Sequence, residues 1–170
     1  MGNKLTILKP SDMHIHLRQG EMLRTTVRDA SDWFCRGVVM PNTLPPVNTP
    51  ESVISYRNEI KGLSDSFDPI MTFKLYPGMT GETVRKMAAV GAFVGKLYPA
   101  GVTTNSQDGV RSRKDIKEAL AAMRDLGMIL SFHCEKPDAS VLEREYRYHA
   151  EFRAIAKAFP GFKMVFEHVS

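Results

Sequence analysis

Long hydrophobic runs are absent from this sequence. Nothing approaches the ~20 apolar residues that a bilayer-spanning helix needs, and the first residues lack the charged, apolar and small-residue succession of a secretory signal. A cytoplasmic protein with no membrane partner is therefore expected. Cysteine is scarce: Cys35 and Cys134 fall on separate predicted elements without paired spacing, as expected of reduced thiols in a core. Runs of one charge are missing too. The net charge is +4, yet the basic residues are interleaved with acids and form no stripe, which speaks against nucleic acid and suits a small anionic substrate. Met1-Gly2-Asn3-Lys4-Leu5-Thr6 satisfies the loose N-myristoylation pattern, but the residues beyond it read at once as a strand, so acylation is not expected.

What is present suffices for one domain with a real core: 170 residues, 43% of them apolar, with dispersed charge. The most distinctive stretch is Asp12-Met13-His14-Ile15-His16-Leu17-Arg18, behind the apolar run Leu5-Thr6-Ile7-Leu8. If it is extended, His14, His16 and Arg18 share one face, with Met13, Ile15 and Leu17 on the other. The two imidazoles then lie roughly 6.5 Å apart at Cα, close enough to reach one divalent cation at about 2.0 to 2.1 Å. Arg18, one step further, carries a planar fork suited to a carboxylate.

Apolar periodicity predicts a helix over residues 22–36 (Leu23, Val27, Ala30, Phe34), ended by Gly37, then a brief strand over 38–40. The proline-rich segment 44–50 reads as loop, and Pro50 suits the first turn of a helix reaching Gly62. Strands are predicted over 69–76, 93–98, 128–134 and 162–169, and helices over 80–90, 113–126 and 141–159, with a polar, glycine-punctuated loop over 99–110. Six strands alternating with five helices call for a parallel sheet, either open and doubly wound or part of a (β/α)8 barrel. The first strand is followed by no glycine-rich phosphate turn.

The polar residues decide between these. His14 and His16 end the first predicted strand, Asn42 follows the second, Lys96 lies on the fourth, His133 ends the fifth and His168 ends the sixth. In a barrel those C-terminal ends converge on one mouth, whereas in an open sheet the first and sixth could lie far apart. Four histidines on one rim point to a transition metal such as zinc rather than magnesium or calcium. The fifth, His149, sits on a helix among charged neighbours and reads as solvated. Lys96 would either pair with a substrate anion or, as a neutral amine carboxylated by carbon dioxide, bridge two metals. Lys74-Leu75-Tyr76-Pro77 nearly repeats Lys96-Leu97-Tyr98-Pro99, and spacing alone does not choose between the two lysines.

The pattern of His-x-His on strand one, Lys on strand four, and His on strands five and six resembles the metal-dependent amidohydrolase superfamily. The longer strings resemble its shorter bacterial dihydroorotases: Asp12 to Arg18, Met40-Pro41-Asn42, Lys96-Leu97-Tyr98-Pro99-Ala100 with Thr103-Thr104-Asn105-Ser106, and Phe166-Glu167-His168. The resemblance implies an α/β fold, a (β/α)8 TIM barrel with about six of its eight strands present. It implies two zinc ions, one held by His14 and His16, the other by His133 and His168, bridged by carboxylated Lys96. Arg18 and Asn42 match binders of the substrate carboxylate, with His133 also beside the substrate, and Thr103 and Thr104 match a mobile loop that closes over the bound ring. The implied reaction is the reversible cyclisation of N-carbamoyl-L-aspartate to L-dihydroorotate, in pyrimidine synthesis.

The family also places a metal-binding, proton-shuttling aspartate on an eighth strand, and this chain supplies no catalytic residue there. Residues 1–170 are thus expected to be the N-terminal part of one barrel domain, truncated after strand six, that forms a homodimer or associates with the missing C-terminal part. The alternatives are another cyclic-amide hydrolase, hydantoinase-like or allantoinase-like, and a non-catalytic dihydroorotase-like binding module.

Overall fold

A computed structural model describes residues 5–168. Met1 to Lys4 of the acylation pattern, and Val169 of the predicted sixth strand, lie outside the described residues. Strand and helix alternate throughout: β1 (Ser11–Ile15), α1 (Glu21–Trp33), β2 (Arg36–Val39), α2 (Pro50–Leu63), β3 (Asp68–Lys74), α3 (Gly81–Ala89), β4 (Val94–Leu97), α4 (Lys117–Asp125), β5 (Ile129–His133), α5 (Arg144–Ala158) and β6 (Lys163–Glu167).

Local chemistry sets the helix starts. Thr49 caps α2 by accepting from Ser52 N at 3.1 Å, with Pro50 in the first turn where its missing N–H costs nothing. Thr80 caps α3 in the same way. The predicted helices 113–126 and 141–159 begin instead as 3-10 turns, Arg113–Ile116 and Val141–Glu143. Leu5 to Leu8 do not join the first strand: they have no regular structure, and Leu5, Ile7 and Leu8 are exposed. Helix α1 buries Leu23, Val27 and Ala30 as its periodicity requires, but it stops at Trp33. Gly37, read as its terminator, lies within β2, where a Cβ would come within 2.8 Å of the Phe67 ring and 2.9 Å of Ile15 Cγ2. The glycine serves strand packing there, not helix termination.

The six strands form one parallel sheet in sequence order, β1-β2-β3-β4-β5-β6. In a flat sheet the outer strands would be about 24 Å apart at the usual spacing. Here His14 of β1 touches Glu167 of β6, so the sheet is curled into a barrel wall. Its register puts Lys74, Lys96, Ser131 and Val165 side by side on the inner face. The outer-facing residues pack under the helices, as Phe132 does against Phe152 at 5.1 Å. Among the described residues β1 and β6 each have one neighbouring strand, and inward-facing Val165 is 44% exposed.

Candidate metal centre

The β1 end of the site departs from simple alternation: three steps along β1 from Asp12 to Ile15 match two along β2 from Gly37 to Val39, His14 lies within that irregularity, and His16 follows one residue beyond the strand. His133 ends β5, and His168 follows β6 directly. The four histidines singled out in the sequence come together: the Nε2 atoms of His14 and His16 are 3.2 Å apart, and the His168 ring packs edge-on against His14 at 4.7 Å and His133 at 4.8 Å. Lys96 forms the floor, fully buried, with its ammonium 5.6 Å from the Tyr98 ring. His149 is not simply solvated. It is half-buried, with its ring 5.0 Å from Phe166 on the outer face of the wall.

Burial and mutual repulsion keep the four imidazoles of His14, His16, His133 and His168 uncharged at neutral pH. Desolvation, then Lys96 and the other histidines, push His14 down to about 3. Desolvation and Arg18 bring His16 to about 4, and desolvation and His168 bring His133 to about 4. His168 is lowered for the same first reason. At neutral pH the rings therefore offer lone pairs rather than protons. Burial pushes Lys96 down to about 7, so a large share of it is neutral amine. Its Nζ lies 3.0 Å from Glu167 Oε2, without the alignment of a hydrogen bond, and has no hydrogen-bond partner among the described residues.

Glu167 is the member that sequence reasoning missed. Its carboxylate accepts from Ser131 Oγ, contacts His14 Nδ1, and faces Lys96. Donor atoms of His14, Glu167 and His168 all lie within 4.8 Å of one another. Its place comes from the sheet: Glu167 is two residues from Val165 on the inner face and stands in register with His133, and the one sequence signal is its position directly before His168.

The two lysines of the repeat differ in their surroundings. Lys74 is as buried as Lys96, but its Nζ donates to the Asn105 carbonyl at 2.8 Å and pairs with Asp108. Asn42 is buried beside His16 and donates to the Thr104 carbonyl at 3.2 Å, which brings the loop carrying half-buried Thr103 and exposed Thr104 to the mouth. Arg18 does not continue the strand alternation. Its backbone turns into the left-handed region (φ 63) while its carbonyl accepts from the Tyr56 hydroxyl, and its charge still bears on His16. Among the described residues the other non-glycine positions in that region, Asn105 and His168, also sit at this mouth, so the backbone strain is concentrated here.

Four uncharged imidazoles and a buried lysine amine without a hydrogen-bond partner among the described residues, all at one mouth, form a donor set that fits transition-metal ions.

No family model matches the chain. A dihydroorotase of Vibrio vulnificus is 44% identical over 172 residues, which is 98% of this chain and 50% of that protein. The crystal structure of Campylobacter jejuni dihydroorotase superposes with a TM-score of 0.88 at 36% identity, covering 95% of this chain and 48% of that one. Dihydroorotase from Saccharomyces cerevisiae, in complex with 5-fluoroorotic acid, does so with a TM-score of 0.88 at 29% identity and the same coverage. The chain spans about half the length of the curated relatives it matches. By sequence and by fold alike, the chain is similar to dihydroorotases over about half of their length.

Proposed function

We propose that this chain provides the metal-binding half of a zinc-dependent dihydroorotase, catalysing the reversible cyclisation of N-carbamoyl-L-aspartate to L-dihydroorotate. The observation that carries the reading is the meeting of four uncharged histidines around the buried amine of Lys96. His14 and His16 would hold one zinc, His133 and His168 the second, and Lys96, carboxylated, would bridge them. When bound, the metal supplies Lewis-acid polarisation of the amide carbonyl and acidification of a water toward neutral pH.

The chain's own residues prepare that chemistry. The Lys96 ammonium would first lose one proton to become the neutral amine, which would attack carbon dioxide, forming an N–C bond and releasing a second proton, so that the neutral amine becomes a singly charged carboxylate. Burial favours the first of these steps, because it lowers Lys96 to about 7 and so supplies neutral amine at neutral pH. Arg18 and Asn42 flank His16 and would take the substrate carboxylate, Arg18 through its two-pronged guanidinium. Thr103 and Thr104, on the loop that Asn42 holds, would close over the ring and exclude water.

Similarity to dihydroorotases at 36% and 44% identity favours this reading over a hydantoinase-like or allantoinase-like hydrolase. The test counts zinc in Lys96→Ala and Lys74→Ala beside the unaltered chain. Lys96→Ala should lose metal while Lys74→Ala keeps it. Equal loss from both, or loss only from Lys74→Ala, would sink the assignment.

A further inference from the structure

The proposed chemistry leaves Lys74 without a task. This residue ends β3 with its side chain 1% exposed, in register with Lys96. A buried ammonium without compensation is among the most costly groups a protein can hold. Its polar partners among the described residues come from loop 99–110: the Asn105 carbonyl at 2.8 Å and the Asp108 carboxylate. The same tip is pinned from a second side, because the Asn42 amide donates to the Thr104 carbonyl at 3.2 Å and the Asn105 amide donates to the Asn42 carbonyl at 3.0 Å.

The base of the loop is closed separately. Val110 N donates to the Tyr98 carbonyl at 2.8 Å. Backbone meets backbone so closely at Gly109 that a Cβ there would lie 2.5 Å from the Tyr98 oxygen. A fixed base thus carries a tip whose position is set by Asn42 and Lys74.

We infer that Lys74 is a positioning residue: its buried ammonium, compensated when Asp108 and the Asn105 carbonyl are docked, latches the tip bearing Thr103 and Thr104 over the barrel mouth. Lifting the tip would strip the ammonium of these partners while its stem stayed enclosed. The cost falls mainly on the lysine, because the Asp108 side chain is 58% exposed and reaches water whether docked or free. The docked loop is therefore favoured before any ligand arrives. The latch goes beyond the proposed function, since it holds whatever molecule enters the mouth. Only its bearing on turnover rests on the dihydroorotase reading.

Amide hydrogen exchange across residues 99–110, followed by mass spectrometry on the whole chain, tests the latch. Asp108→Asn, at a half-exposed position, should speed exchange at Gly101 and Thr103 on the order of tenfold to a hundredfold, the scale of one charge-assisted hydrogen bond. Asp108→Glu should restore most of the protection, which a purely local packing role would not require. Lys74→Met should speed exchange similarly, and combining it with Asp108→Asn should add little, because both changes break one interaction. Wild-type exchange in both Asp108→Asn and Lys74→Met, with the strands still protected, overturns the latch. Turnover enters none of these measurements, so failure of the latch and failure of the proposed activity are read separately.

Discussion

Replacing Lys96 by methionine should make the metal-free chain more stable at neutral pH, although it removes a charged residue 3.0 Å from a carboxylate. Burial moves the Lys96 pKa from 10.5 to about 7. At about 1.4 kcal/mol per unit this sets a cost of about 5 kcal/mol for keeping the lysine inside at pH 7. That figure is an upper bound, because Glu167 returns part of it and would itself lose a neighbour in the variant. A net gain of roughly 2 kcal/mol is the expectation, or about 4 to 8 °C in Tm for a chain of this size. The sign follows from proton counts. Unfolded lysine binds its proton up to pH 10.5 and folded Lys96 only up to about 7, so the deficit is complete at and below pH 7. It shrinks as pH rises from 7 to 10.5 and vanishes above. Thermal melts of both proteins in chelator, from about pH 7 to about pH 10, should therefore show a gap that narrows with pH. A Lys96→Met chain that melts below wild type at pH 7, or a gap indifferent to pH, would show that the Lys96–Glu167 pair supports the wall.

Arg18→Lys should weaken binding of L-dihydroorotate far more than it lowers zinc content, because a point charge does not reproduce a two-pronged carboxylate contact; calorimetry showing unchanged ligand affinity would make Arg18 structural. In the metal-free chain, His14, His16 and His133 titrate near 3, 4 and 4 against 6.5 when unfolded, so stability should be full above about pH 6.5 and fall as pH drops toward 4. Urea midpoints that stay level across that window would contradict the depressed values. Finally, since among the described residues β1 and β6 each have one neighbouring strand and Val165 lies exposed on the inner face, residues 1–170 on their own should self-associate, and adding a segment matching the other half of the relatives should give a better-dispersed complex that, under the proposed function, hydrolyses L-dihydroorotate. A monodisperse monomer of this chain that hydrolyses L-dihydroorotate at a normal enzymatic rate would refute that expectation.

Much of the fold was legible because its signals are local and repeated. Leu23, Val27 and Ala30 mark a helix by spacing alone, and Thr49-Pro50 writes its own helix start. The boundaries that shifted did so for tertiary reasons. Gly37 looked like a helix terminator, yet what fixes a glycine there is the Phe67 ring and Ile15 side chain that a Cβ would strike, and neither is adjacent in sequence. Leu5 to Leu8 carry strand-like composition, but the ladder of β1 with β2 begins at Ser11 and Arg36, and composition does not supply a pairing partner.

The histidines of the site were legible because each stands at a strand end, and a barrel brings strand ends together whatever lies between them. Glu167 was hidden for the opposite reason: its place comes from inner-face register with His133, five residues into a strand whose outward Phe166 and Met164 dominate the apolar pattern. The paired lysines show the limit most clearly. Lys74 and Lys96 sit in nearly identical strings, on adjacent strands, side by side in register and both buried. What separates them is a loop that departs after Lys96 and folds back, so that Asp108 reaches Lys74 while Lys96 is left facing the histidines. One lysine is then hydrogen-bonded to a carboxylate and a carbonyl from the loop, and the other, beside Glu167 but without an aligned hydrogen bond, is left with a pKa lowered to about 7. Two identical side chains on one sheet thus acquire different chemistry from the return path of a single loop, a distinction that no spacing rule along the chain contains.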